Sequence, residues 1–209
     1  MGYIIVKFKI CKIDKYVSVV CFISVISQIP FFYQNAILSM IPNIAWVFLT
    51  LFLIRIKGNN LKLNIIVLLP AMFDVYCIIL QIISGNNYIS SNLFKPVNMC
   101  TFLFIAGTLV SDYFNHDSLV SFSKSYIAAT VVTSFFIYVE YFLGKSIASG
   151  GYLYGGKNSL ATIIFTAVIL LIMMWKKLTD SKFKKILSIF SLIFFIYFLL
   201  LLKSRTVLF

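Results

Sequence analysis

The feature that most constrains this chain is its repeated apolar stretches, each of about 20 residues, separated by short segments that carry the lysines. A helix needs about 20 mostly apolar residues to cross roughly 30 Å of hydrocarbon. Seven stretches approach that length: 16 to 34, 36 to 54, 63 to 83, 96 to 113, 125 to 143, 158 to 175 and 186 to 202. With 61% hydrophobic and 11% charged residues, the chain has too little polar surface to solvate a globular domain of 209 residues. The expected fold is all-α, a polytopic transmembrane helical bundle of about seven spans forming one membrane-embedded domain over 1 to 209. Pro30, Pro42 and Pro70 fall inside the stretches, where proline kinks a helix. A tight turn near Tyr33, Gln34 and Asn35 joins the first two.

Charge placement sets the expected orientation. Thirteen of the eighteen cations fall in alternate connections: Lys7 to Lys15, Arg55 to Lys62, Lys124, and Lys176 to Lys185. The positive-inside rule makes that side cytoplasmic and places the N-terminus inside. Lys95, Lys145, Lys157, Lys203 and Arg205 fall outside. The fourth span is the least apolar, but without it the lysine-rich 176 to 185 segment would face outward. The lysines lie between apolar runs rather than on one stripe, which argues against nucleic acid as a partner. Cys11, Cys21, Cys77 and Cys100 are scattered, with no metal-ligand spacing. The basic N-terminus leads into an apolar run with no cleavage site, and it reads as an uncleaved first span.

Four of the nine glycines cluster in Gly150 to Ala161, G-G-Y-L-Y-G-G-K-N-S-L-A, where one span ends and the next begins. The topology puts this loop on the outer face, bracketed by Lys145 and Lys157. One helical hairpin later the chain returns to that face at K-S-R-T, with Lys203 and Arg205. Cations placed against the topological bias fit two readings: contact with lipid head groups, or an anionic ligand held by cations, backbone N–H groups and a helix start. Gly151 to Lys157 formally matches a nucleotide phosphate loop, but Asn158 stands where Ser or Thr is needed and a membrane helix precedes it. Asp74 lies in mid-span, as a hydrogen-bonded helix contact or a functional group. Glu140 lies near the outer end of the fifth span, as a general base, a partner for Lys145 or a solvated helix end. His116 falls in a cytoplasmic loop from Asp112 to Lys124 that has too few ligands for a metal.

The glycine-rich outer loop running into K-N-S-L-A at a span start, followed one hairpin later by a span ending in K-S-R-T, resembles the O-antigen polymerase and O-antigen ligase superfamily over residues 149 to 209. The resemblance implies a glycosyltransferase of the bacterial cytoplasmic (inner) membrane. Such an enzyme moves a glycan from undecaprenyl diphosphate to an acceptor glycan at the outer face, with no metal or other cofactor, alongside a flippase and a chain-length regulator. It implies Arg205 as the diphosphate clamp, assisted by Lys203, Lys157 and Asn158; Glu140, from its place near the outer end of the fifth span, is expected as the other catalytic group. Lys157, Asn158, Lys203, Lys145, Gly155 and Gly156 would bind substrate. Family members carry a further outer loop and more spans after the S-R helix, so the chain is expected to be an N-terminal portion. The rival expectations are a transporter or flippase-like protein, with Asp74 on the substrate path, and a non-catalytic membrane subunit.

Overall fold

The structure, a computed structural model, describes residues 2 to 35, 37 to 57, 72, 76, 79, 83, 107, 109, 116 to 144 and 156 to 202. Among these residues the regular structure is helical: α1 (Gly2–Ile26), α2 (Pro30–Gln34), a 3-10 turn (Leu38–Met40), α3 (Ile41–Lys57), α4 (His116–Phe142), α5 (Gly156–Met173), α6 (Trp175–Leu178) and α7 (Lys182–Leu202). The chain divides into two compact units, one of residues 1 to 41 and 115 to 209, the other of 42 to 114.

Three described helical segments are long and apolar enough to cross a membrane: Leu38–Ile56, Asp117–Phe142 and Lys182–Leu202. A shorter apolar helix spans Lys157–Met173. Its 18-residue element reaches about 27 Å at the usual helical rise. Large apolar side chains face outward along these helices, among them Phe48 and Leu51 on α3, and Phe190, Ile193 and Leu200 on α7. In water, faces of this kind would drive aggregation; in hydrocarbon they carry no penalty, and the chain reads as a membrane protein.

The structure corrects the expected helix limits in three places. The run from 16 to 34 is not one helix. Residue 29, ahead of Pro30, is extended, with φ −63° and ψ 131°, because the proline ring clashes with a helical residue before it. Thus α1 stops at Ile26, and Pro30 opens α2 at a first-turn position where its missing N–H costs nothing. The freed groups close locally: Gln28 N–H donates to Val25 O at 3.1 Å and Ile29 N–H to Ile26 O at 3.0 Å. Pro42 likewise lies in the first turn of α3 rather than kinking a helix interior, and Ile41 N–H occupies the Leu38 carbonyl. The segment from His116 to Lys124, read as part of a loop, forms the first turns of α4. Asp117 suits that position, since a carboxylate near a helix N-terminus opposes the helix dipole.

The expected turn at residues 33 to 35 is present. Asn35 Oδ1 accepts from Ile37 N–H at 3.0 Å and Leu38 N–H at 3.3 Å, an Asx-type turn that ends α2. In the second unit, Met72, Tyr76, Ile79 and Ile83 are helical and exposed. Pro70 and Asp74 lie outside the described residues.

In the first unit α4 is the common partner. Its contacts with α1 run through hydroxyls: Ser125 Oγ donates to Ser18 O at 2.6 Å, Ser18 and Ser121 hydroxyls meet at 3.3 Å, and Thr133 Oγ1 donates to Val25 O at 3.2 Å. Residue numbers on both helices rise together along this seam, so α1 and α4 run parallel. Ala129, fully buried, lies one turn from both Ser125 and Thr133 on the same face. Small side chains let two backbones approach closely, which is the main source of helix association in lipid. At its far end α4 stops at Gly144, whose φ of +87° is a conformation that costs other residues steric energy.

The parallel seam has a direct test. In a background without the native cysteines, Ser18→Cys paired with Ser121→Cys is expected to form a disulfide on mild oxidation, whereas Val25→Cys paired with Ser121→Cys is not. Ala129→Leu is expected to destabilise the protein by about 1 to 3 kcal/mol through overpacking, read as a lower unfolding midpoint in detergent.

Candidate functional site

The second face of α4 builds the core that positions one end of the bundle. Ile137 of α4 is buried with Leu160, Ala161, Ile164, Ala167 and Val168 of α5 and with Phe195, Phe198 and Leu202 of α7. Leu160 and Ala161 begin α5, while Leu202 ends α7 and Ile137 lies near the end of α4. The C-terminal ends of α4 and α7 therefore meet the N-terminal end of α5. Tyr138 sits among Phe142, Phe194, Tyr197 and Phe198, with ring centroids 5.9, 6.2, 6.2 and 6.3 Å away. Phe194 and Phe198 stack at 5.9 Å. Edge-to-face packing of this kind adds to simple burial.

The expected site residues fall around this end. Glu140 is partly exposed in the last turn of α4, one turn beyond Ile137. Gly156, Lys157 and Asn158 form the first turn of α5. Lys157 is half-buried and Asn158 exposed; the Asn158 carbonyl accepts from Thr162 Oγ1 at 2.9 Å. Lys145, Gly155, Lys203, Arg205 and the glycine loop from 150 to 155 lie outside the described residues. The fold thus brings Glu140 and the Gly156 to Asn158 turn to one end, the end at which α7 also finishes. The arrangement provides a carboxylate, an ammonium and a helix start whose N–H groups point outward. Helix starts favour anions through those N–H groups and the helix dipole.

The aromatic cluster around Tyr138 is a feature that sequence reasoning missed. Its signal was present as Phe194, Tyr197 and Phe198, three aromatics at helical spacing on α7. No group of three or more metal-ligating side chains occurs among the described residues.

The opposite end holds the connection from α5 to α7. Met174 departs from helical geometry, with φ −98° and ψ 13°, and turns the chain into the short α6. Ser181 then opens α7, its Oγ accepting from Lys184 N–H at 3.3 Å, as an N-cap residue does. Asp180 pairs with Lys184 at 2.8 Å. The hydrogen bond from Lys184 is the main reason that the Asp180 carboxyl is held below its ordinary pKa, with Lys124 adding a smaller push in the same direction. Lys124 of α4 therefore shares this end with the α5 to α7 connection.

Comparison with known protein families, characterised proteins and solved structures finds no match to this chain.

Two outcomes are expected. Phe198→Ala, which removes a fully buried ring, should cost about 3 to 5 kcal/mol, while Tyr138→Phe, which keeps the ring contacts, should cost far less; unfolding in detergent reads both. The depressed Asp180 pKa gives a contribution that is fully present above the ordinary carboxylate value and lost as pH falls through the lower folded value. Because the pair is exposed, the effect is small. Asp180→Asn should remove that acid-limb dependence without changing the neutral-pH unfolding midpoint appreciably.

Proposed function

We propose that this protein is a membrane glycosyltransferase, or the N-terminal part of one, that polymerises or ligates polysaccharide repeat units at the outer face of a bacterial cytoplasmic membrane. Its donor is a glycan on undecaprenyl diphosphate. The observation that carries the reading is the shared core of Leu160, Ala161 and Leu202. It draws the start of α5, with Lys157 and Asn158, to the end at which α7 finishes, and Lys203 and Arg205 follow α7 directly in sequence. A leaving diphosphate develops negative charge, which fixed cations and backbone donors stabilise. Arg205 would offer a planar fork for two oxygens, assisted by Lys157, Asn158 and Lys203. Glu140 stands at the same end as the acceptor-side base.

The expected orientation draws support from the helix directions. Lys124 and the 176 to 185 lysines share one end, and the Glu140 and Lys157 end is the opposite one. Parallel α1 and α4 require an odd number of crossings between them if both span the bilayer. The expectation of three spans between residues 36 and 113 meets that requirement.

In a strain that depends on this protein for surface glycan, Arg205→Ala and Lys157→Ala are each expected to abolish or shorten the polymer with normal membrane insertion, as read on glycan gels. A reporter fused in the 150 to 158 loop should report the outer side. A cytoplasmic signal from that fusion would overturn the reading.

A further inference from the structure

The connection between α5 and α7 lies opposite the proposed transferase end. From Trp175 to Ile186 it carries five lysines against one aspartate. The positive-inside rule accounts for the sign of this charge but not for its arrangement. Asp180 is already engaged with Lys184 at 2.8 Å. Lys176, Lys177, Lys182 and Lys185 are exposed, and among the described residues none has an acidic side chain within ion-pair distance. Large apolar side chains stand directly among them: Met173 is 69% and Phe183 75% exposed. Beyond Lys182 and Lys185, the exposed surface of α7 continues as Ile186, Phe190 and Ile193. Trp175, half-buried at the turn, is a residue type that favours the level of the head groups.

We propose that the α5 to α7 connection is a binding surface for anionic phospholipid, its lysines holding the head-group phosphate and the exposed apolar strip of α7 receiving the acyl chains. The occupant is chosen by the pairing on the surface. A soluble anion would use the lysines and leave Phe183 and Ile186 uncovered, whereas a neutral lipid would cover the strip and leave the charges unmatched. An anionic phospholipid satisfies both at once, and basic segments at the cytoplasmic membrane surface attract such lipids strongly. The proposal rests on α5 and α7 being membrane helices, and it is independent of the transferase reading.

Trp46 and Trp175 are the two tryptophans, so Trp46→Phe leaves Trp175 as a single reporter beside the lysines. The full chain is reconstituted in vesicles that contain either brominated phosphatidylglycerol in neutral phosphatidylcholine, or the same amount of brominated phosphatidylcholine in unbrominated phosphatidylglycerol and phosphatidylcholine. Bromine quenches tryptophan only in contact. Quenching by the anionic lipid is expected to imply a local enrichment of about threefold or more. The K176Q/K177Q/K182Q/K185Q variant should lose that enrichment while still being quenched by the neutral brominated lipid, which establishes its insertion. The matching lysine-to-arginine variant should keep it. Equal quenching by the two lipids in the unaltered chain would overturn the proposal, as would enrichment that survives the glutamine variant. Relief of quenching by inorganic phosphate at an ionic strength where chloride has no effect would point to a free-anion site and overturn it too. Quenching by neither lipid would instead remove the membrane reading on which it rests.

Discussion

Apolar side chains gain nothing by leaving hydrocarbon for a protein interior, so helices in a bilayer need another reason to associate. In this chain that reason is concentrated on α4. One of its faces offers Ser121, Ser125, Ala129 and Thr133, small enough for α1 to approach and polar enough to bond its hydroxyls and carbonyls. The other face offers Ile137 and Tyr138 to the aromatic and aliphatic surfaces of α5 and α7. The first contact depends on close approach and hydrogen bonding, the second on shape and ring packing. The positions of α1, α5 and α7 follow from one or the other.

The same division explains how polar side chains are tolerated at depth. Several hydroxyls that do not cross to another helix bond back to their own, as Thr130 does to Tyr126 O at 2.8 Å and Thr166 to Thr162 O at 2.8 Å. That local bond satisfies the donor without a partner, whereas the buried Ser123 and Ser134 hydroxyls do neither. Cross-helix hydroxyl bonds concentrate on the α1 seam, where they mark direction and register, and one more joins α4 to α5, from Tyr126 Oη to Ile163 O at 3.3 Å. The far end of the bundle is organised differently, with ring packing between α4 and α7 and the aliphatic side chains of α5 beside it bringing three helix ends together and leaving polar groups, Glu140 and Lys157 among them, at the rim.

Much of this was legible in the sequence, because apolar length is a direct physical signal. Two of the expected helices, from 158 and from 186, begin within four residues of α5 and α7, at Gly156 and Lys182. Failures occurred where a local rule overrides that signal. Proline acts on the residue before it, so the apolar run from 16 to 34 breaks at Ile29 although hydropathy is uninterrupted. Ser118 to Lys124 reads as loop by polarity, yet Ser118 and Ser123 are buried and the Ser121 hydroxyl meets that of Ser18 on α1. In hydrocarbon, serine is an interface residue as readily as a loop residue. At the candidate site, Gly156, Lys157 and Asn158 were legible because glycine and lysine are conspicuous among apolar residues. The aromatic cluster beneath them was not, since one tyrosine among many looks unremarkable until the rings of α4 and α7 close around it.

The break ahead of Pro30 bears on the order in which the protein can be built. The apolar part of α1, from Tyr16 to Ile26, covers only about 16 Å at the helical rise, so a crossing of the hydrocarbon there also needs the apolar residues on either side of the Pro30 break, α2 included. Its hydroxyl-bonding partner α4 is encoded far downstream. During synthesis α1 therefore reaches the membrane as a short, lysine-headed segment whose packing surface has nothing to meet. It must stay near the site of insertion, or be held there, until α4 emerges. Helix α4, with contacts for both its early and its late neighbours, is the point at which the unit can first close.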